Sequence, residues 1–361
     1  MKKVTAAQIA EACGVSQATV SYVINNTPNK SIRPETRAMI LETARRLDYV
    51  PNSAARSMRT QRAQSIGVVI GNNVLNFSVS HLLRGIKQVL DGHGWTITLL
   101  NYDSSPFQGE DSPAPECAAA ASEGETEVEQ YLRHYRSNRI DALAFLFMDL
   151  SPAALEQLDR QEIPYLSVSE TGITGKNLSI DTHVDEAIRQ CALFCREQRF
   201  SRLLYLTKTS PSFSNALPMK TSLFMSAIQE LCPGVQVSHR TLNIRQEDSQ
   251  IVGELSAILE EEDPQLIFTT TPKLGFVTQT AILSRCFSLP QQIKHISLSS
   301  SPFFDLGYPT VTHLDIPFVQ MGRFTASHLL RQLEGEAVPE EPFVCRLKTG
   351  QSTMTAAAGG K

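Results

Sequence analysis

Disulfide spacing, metal-finger spacing, long apolar runs and catalytic signatures are all missing from this sequence. The seven cysteines fall without CxxC or Cys/His pairing. Cys191 and Cys195 share one helical face and read as small apolar core residues of a reduced protein. The longest purely apolar run, Ala142–Met148, falls far short of the ~20 residues that a membrane helix needs. Lys2–Lys3 leads into polar residues, where a secretory signal would place its apolar segment. A disulfide-stapled or membrane-spanning protein is therefore excluded, and a cytoplasmic location is expected. GxSxG, HExxH, the P-loop and the Gly-rich dinucleotide fingerprint are absent too. The eight histidines are dispersed; His183 and His313 read as satisfied surface or core groups. The acidic run Glu260–Asp263 ends a helix ahead of Pro264, which a solvated face explains. No catalytic residue, metal ligand or cofactor is expected.

What the chain does have is length and an uneven distribution of charge. Its 361 residues exceed one ordinary domain, and 42% hydrophobic against 19% charged residues is the composition of a globular protein. The net charge of −4 hides an asymmetry, because residues 1–62 carry ten Lys/Arg against four acids. That segment is +6 and the remainder −10. A basic head on an acidic body suggests that the head meets phosphates and the body does something else.

Within the head, Ile9, Ala10, Ala12, Val15, Val20, Val23 and Ile24 recur at helical spacing over Val4–Asn25. The run is broken once, at Cys13–Gly14–Val15, where Gly14 suits a tight turn because it takes a positive φ without steric cost. Ser16 then stands where an N-cap belongs. Two helices joined this way form a helix-turn-helix, whose second helix enters the major groove with its N-terminal residues at the base edges. Gln17, Ala18, Ser21 and Tyr22 are thereby placed as readers, with Ser16, Thr19 and Asn25 beside them. Pro34 opens a third helix, where its missing N–H costs nothing. Met39, Ile40, Ala44 and Leu47 are expected to close a three-helix core.

The pattern T-x-x-x-I-A-x-x-x-G-V-S-x-x-T-V-S-x-V-x-N resembles the LacI/GalR family of bacterial transcriptional regulators. Glu35-Thr36-Arg37, Leu47-Asp48-Tyr49-Val50-Pro51-Asn52 and Ala54-Ala55-Arg56-Ser57-Met58 extend the resemblance, which is dense through residue 70 and traceable to residue 348. It implies a homodimeric repressor on a pseudo-palindromic operator of double-stranded DNA, with Thr5, Arg33 and Thr36 also at the DNA. Arg33 stands where the family usually has a capping Ser, which forgoes a cap worth ~1 kcal/mol and puts a cation near the phosphates. The resemblance also implies a hinge segment at 51–62 whose Met58 wedges into the minor groove, with Asn52, Ala55 and Arg59 beside it. A plain linker is the other reading of that segment.

From Ser65 onward strands alternate with helices, which implies parallel βαβ units and doubly wound sheets. Strands are expected at Ile66–Ile70, Thr96–Leu100, Ala142–Phe147, Tyr165–Val168, Leu203–Leu206, Val235–His239, Leu266–Thr270 and Ile296–Ser299. Helices lie between them, and a return segment covers Pro309–Leu333. The fold class expected is thus an all-α head plus an α/β body, which by the resemblance is two-lobed and periplasmic-binding-protein-like. Head, hinge and body are set at 1–50, 51–62 and 63–352. Lobe 1 takes about 63–168 plus 317–336, and lobe 2 about 169–313 plus 340–352. Ser104–Thr126 reads as a mostly disordered insertion and 353–361 as a disordered tail.

For the effector, the resemblance points to a cleft holding Asn76, Phe77, Asp149, Lys220, Thr271 and Ser301. Here the family's cleft Arg is Lys220, its Asn-Asp pair is Thr271–Pro272, and its Gly-aromatic-Asp motif is Ser300–Ser301–Pro302. Lysine and proline supply bidentate contacts to sugar hydroxyls poorly or not at all. The effector is thus open between a sugar, a sugar phosphate, another metabolite and none, and these positions read equally as packing. Two other functions stand beside the repressor: a small-molecule binding protein with a vestigial head, and an α/β enzyme with a DNA-binding head.

Overall fold

The computed structural model describes residues 4–24, 31–49, 62–71, 77–100, 128–209, 216–244, 246–336 and 342–354. The chain divides into two compact units, Met1–Ala63 and Gln64–Lys361.

The first unit contains α1 (Ala6–Cys13), α2 (Gln17–Ile24) and α3 (Pro34–Arg46). Gly14 ends α1 in the left-handed region at φ 64°, the conformation that made glycine the expected residue there. Ile9, Ala10, Cys13, Val20, Val23, Ile40 and Ala44 form a small apolar core, with Val15, Ile24 and Leu47 packed against it. Two expectations fail: Ala12 is exposed and Met39 is 41% exposed. Helical periodicity carries both past the edge of the apolar stripe, and Ile40 and Ala44 complete the face without Met39.

The second unit holds two six-stranded sheets. In the first, β1 (Ser65–Ile70), β2 (Thr96–Leu100), β3 (Ala142–Leu146), β4 (Tyr165–Val168), β5 (Gly172–Gly175) and β6 (Leu178–Asp181) lie in the order β2-β1-β3-β4-β5-β6. In the second, β7 (Arg202–Lys208), β8 (Gln236–Leu242), β9 (Leu266–Thr269), β10 (Lys294–Ser297), β11 (Thr312–Asp315) and β12 (Arg346–Lys348) run β12-β11-β10-β9-β7-β8. The alternation seen in the sequence gives the parallel pairs, for example Ile66 opposite Ala142 and Leu203 opposite Leu266. The sheets are parallel-dominated, as the alternation implies, and each also carries antiparallel strands that alternation does not announce. β5 pairs antiparallel with β4 and β6, and β12 with β11. The hairpin β5–β6 has only Lys176 and Asn177 between its strands, too short a connection for a helical crossover. It belongs to the first sheet, so that sheet runs past residue 168, where the sequence reading changes lobe, to Asp181.

Between the sheets the chain crosses three times: from β6 into α7 (Val184–Glu197), from β11 into α11 (Phe318–Glu334), and from α11 back to β12. The return helix α11 packs on α4 (Phe77–His93) beside the first sheet. They meet at glycine: a Cβ on Gly322 would lie 2.2 Å from the Leu82 carbonyl oxygen, and one on Gly85 2.1 Å from that of Val319. The buried core runs from Ile66 and Val68 through Leu82 and Ile86 to Met321 and Leu329.

At the C-terminal end the expected disordered tail begins too early. Thr353 is buried, its hydroxyl 2.6 Å from that of Thr312, and Ser352 donates to the His295 carbonyl at 2.6 Å. Those buried hydroxyl pairs hold Gln351–Thr353 as a 3-10 turn against β10 and β11. Residues 355–361, the insertion 104–126 and hinge residues 51–61 lie outside the described residues.

Two measurements test this packing. Gly322→Ala forces backbone apart at the α4–α11 crossing and is expected to destabilise the body by about 1–3 kcal/mol in urea unfolding. His295 is wholly buried, its Nε2 3.0 Å from the Thr269 hydroxyl, and burial lowers its pKa from 6.5 to about 3. It folds neutral, so its contribution is present above pH 6.5 and is lost as pH falls toward about 3. Wild type is expected to lose stability over that window by up to about 1.4 kcal/mol per pH unit more than His295→Gln. Matched slopes in paired urea titrations would remove His295 as the cause.

Candidate nucleic-acid interface and effector cleft

The reading surface of the head is set by caps. Ser16 Oγ accepts from the Thr19 amide at 3.1 Å and lies 2.9 Å from the Thr19 hydroxyl. This stops α2 from fraying at its first turn and leaves the sequence's reader positions outward: Ser16, Gln17 and Ala18 are exposed, Ser21 and Tyr22 half-buried. Thr19 is half-buried with its hydroxyl engaged by Ser16, so it supports the turn rather than standing clear of it. Val20 and Val23 point inward and hold the helix to the core. Thr5 forms a capping box with Gln8, whose amide side chain takes the Thr5 N–H at 2.9 Å.

Arg33 precedes Pro34 at the start of α3, exposed and making no side-chain cap, as its lack of an acceptor requires. Thr36 is half-buried one turn later. Asn25, Asn52, Ala55, Met58 and Arg59 lie outside the described residues.

In the body, each described effector candidate follows the C-terminal end of a parallel strand: Phe77 after β1, Asp149 after β3, Lys220 after β7, Thr271 after β9, Ser301 after β10. That is where open α/β sheets bind ligands. Asn76 lies outside the described residues. Phe77 meets Phe303, from the segment following β10, edge to face at 4.6 Å. This contact joins the helix beside the first sheet to the rim of the second. Lys220 sits on α8 (Ala216–Leu231), which Phe224 anchors by stacking on Tyr205 at 4.6 Å and meeting Phe268 at 4.6 Å.

The polar groups of this set are already used within the chain. Lys220 is 2% exposed, donating to the Glu170 carboxylate and, at 3.0 Å, to the Leu298 carbonyl. Thr271 Oγ1 accepts from the Leu274 amide and Ser301 Oγ from that of Phe303, each capping its own helix. Asp149 is exposed.

A cavity of about 380 Å³ opens beside them, lined by His81 and Arg323 from the α4–α11 pair and by Ser300, Ser301, Asp305, Asp315 and their neighbours. Of the described effector candidates only Ser301 lines it. Arg323 donates to Gln88 at 2.8 Å, and burial with the Arg84 charge lowers the His81 pKa. His81, Glu170 and Arg323 are the residues that sequence reasoning missed. All three lie on helices or turns whose pairing across the fold no local pattern displays.

A capped helix-turn-helix followed by two lobes with ligand positions at strand ends defines a regulator built as a DNA-reading head on a binding body. Residues 5–52 match the family model for bacterial regulatory proteins, lacI family, and residues 194–353 that for a periplasmic binding protein-like domain. Catabolite control protein A of Priestia megaterium is 22% identical over 335 residues, covering 93% of this chain and 94% of that one. HTH-type transcriptional regulator RegA of Clostridium acetobutylicum is 27% identical over 179 residues, 50% of this chain and 47% of that one. Among solved structures, the Lac repressor dimer bound to operator and an anti-inducer superposes with a TM-score of 0.76 at 16% identity. It covers 98% of this chain and 100% of that one. Residues 5–52 are thus a LacI-family helix-turn-helix domain, joined in one chain to a periplasmic-binding-protein-like domain at 194–353.

Replacing Gln17 by Ala is expected to relax preference at one base pair by about 1–3 kcal/mol in competition binding. Arg33→Ala is expected to weaken binding to all duplexes and flatten the salt slope. Equal loss by Gln17→Ala on selected and random duplexes would remove it as a reader.

Proposed function

We propose that the chain is a sequence-specific transcriptional repressor binding a pseudo-palindromic operator as a homodimer under small-molecule control. The reading assigns the head to residues 1–50, the hinge to 51–62 and the body to 63–352, in a cytoplasmic protein. The observation that carries it is the first turn of α2. Ser16, Gln17 and Ala18 face solvent on a helix whose opposite side is locked into a core, and a rigid exposed helix of that kind suits a major groove. The +6 charge of residues 1–62 supplies attraction to phosphates. In this reading Thr5, Thr36 and Asn25 support the groove contacts and Met58, with Asn52, Ala55 and Arg59, kinks the operator centre.

Support for a second copy comes from the body, where Leu306 is 77% and Tyr308 87% exposed in one short loop. Large apolar side chains presented together are what a partner covers. Support for an effector comes from the strand-end placement of Phe77, Asp149, Lys220, Thr271 and Ser301 and from the adjoining cavity. A ligand preferring one lobe arrangement shifts the body toward it and so alters how two heads are presented. A solved relative is the CelR–cellobiose complex, and a sugar, a sugar phosphate or another metabolite is the effector class for this chain. Enzymatic turnover has no support in the candidate residues.

Selection of bound fragments from random and genomic duplexes, repeated with metabolite pools, tests the reading. The expected result is a consensus with two-fold symmetry whose affinity one pool changes by about 5–150-fold. No preference for any duplex over competitor at physiological salt, with and without metabolites, would overturn it.

A further inference from the structure

Lys220 presents a buried ammonium, and its partner comes from the other sheet. Glu170 lies in the turn between β4 and β5, both in the first sheet, and the Thr182 hydroxyl donates to its carbonyl at 2.8 Å. Lys220 is on α8, anchored through Phe224 to the second sheet, and its other acceptor is Leu298, which follows β10. The ion pair thus ties the first sheet's turn to the second sheet's helix. Its two ends differ in access, since the Lys220 side chain is 2% exposed and that of Glu170 19%. A buried ammonium needs an anion, and solvent reaches only the carboxylate side.

We infer that Lys220 is an oxyanion site between the β4–β5 turn and the segment after β10, occupied here by the chain's own Glu170, and that the ligand of the body is a small oxyanion which takes the place of that carboxylate. The inference rests on reading the body as an effector-binding module and adds the ligand's chemistry. Neutral ligands leave the ammonium without a counter-charge, and cations oppose it. Thr271 and Ser301 are neutral, and their oxygens already accept the amides of Leu274 and Phe303, so neither supplies the counter-charge that Lys220 does. Exchange of the resident carboxylate for a free one releases the β4–β5 turn from α8. That loosens one tie between the sheets and gives the ligand differential affinity for the two lobe arrangements.

The test uses the full chain and needs no DNA. Glu170→Ala strips the ammonium of its anion and is expected to lower the thermal unfolding midpoint by roughly 5 °C or more. Acetate in one arm and inorganic phosphate in another, each at ionic strength matched with chloride, are expected to restore most of that loss in at least one arm. The effect on wild type is expected to be much smaller. The arm that restores distinguishes a carboxylate from a phosphate ligand. A Lys220→Met, Glu170→Met double variant is expected to fold and to respond to neither anion.

The proposal is overturned if Glu170→Ala melts with wild type, if neither anion exceeds chloride, or if the double variant responds as the single one does. Should Glu170→Ala not fold, Glu170→Gln is read in the same assay, with the same outcomes. Because melting is read without duplex, a failed operator selection leaves this result standing, and a failed rescue leaves the operator reading standing.

Discussion

The body depends on a return. Its chain leaves the first sheet at Asp181, builds most of a second, and comes back through α11 to lie on α4. That closure needs backbone to approach backbone, and the glycines at 85 and 322 are what permit it. With the crossing in place, groups from distant parts of the sequence are brought together. His81 and Arg323 reach one cavity, and Cys345 donates its amide to the Thr182 carbonyl at 2.7 Å. The lobes can differ in arrangement only to the extent that the chain's crossings between the sheets and the few lobe-to-lobe contacts allow.

Much of this was legible in the sequence, for reasons particular residues make plain. β2 and β4 fall on the stretches expected, Thr96–Leu100 and Tyr165–Val168, because short runs of β-branched, aromatic and aliphatic residues follow a turn signal in each, Gly94 before the one and Pro164 before the other. Ser16 and Gly14 were readable because caps and positive-φ turns each favour few residue types. The antiparallel hairpin was not, since Gly-Ile-Thr-Gly-Lys-Asn-Leu-Ser-Ile-Asp offers no apolar run and is buried at only a few positions. Ala12 and Met39 show the limit of periodicity, which fixes a face but not how wide the neighbour is that covers it.

The candidate sites divide along the same line. Local chemistry marked the helix-turn-helix, and the resemblance to a family marked the strand-end positions. What those positions do depends on partners that lie far away in sequence: Lys220 meets Glu170, 50 residues earlier, and Leu298, 78 residues later. Substitution of Lys for Arg was visible from the start, yet its consequence was not, because a single charged residue discloses neither its burial nor its counter-ion. The same holds for Thr271 and Ser301, whose hydroxyls turn out to serve the helices they begin.

The neutral caps of the head have a methodological consequence. Helices α1 and α2 carry no acidic residue in the first turn and no basic residue in the last, and their N-terminal ends are closed by Thr5–Gln8 and Ser16–Thr19 hydrogen bonds. Ionic strength therefore has little purchase on whether those helices stay folded. A counterion count assigned to the reading helix α2 is thereby free of salt-induced fraying at its first turn.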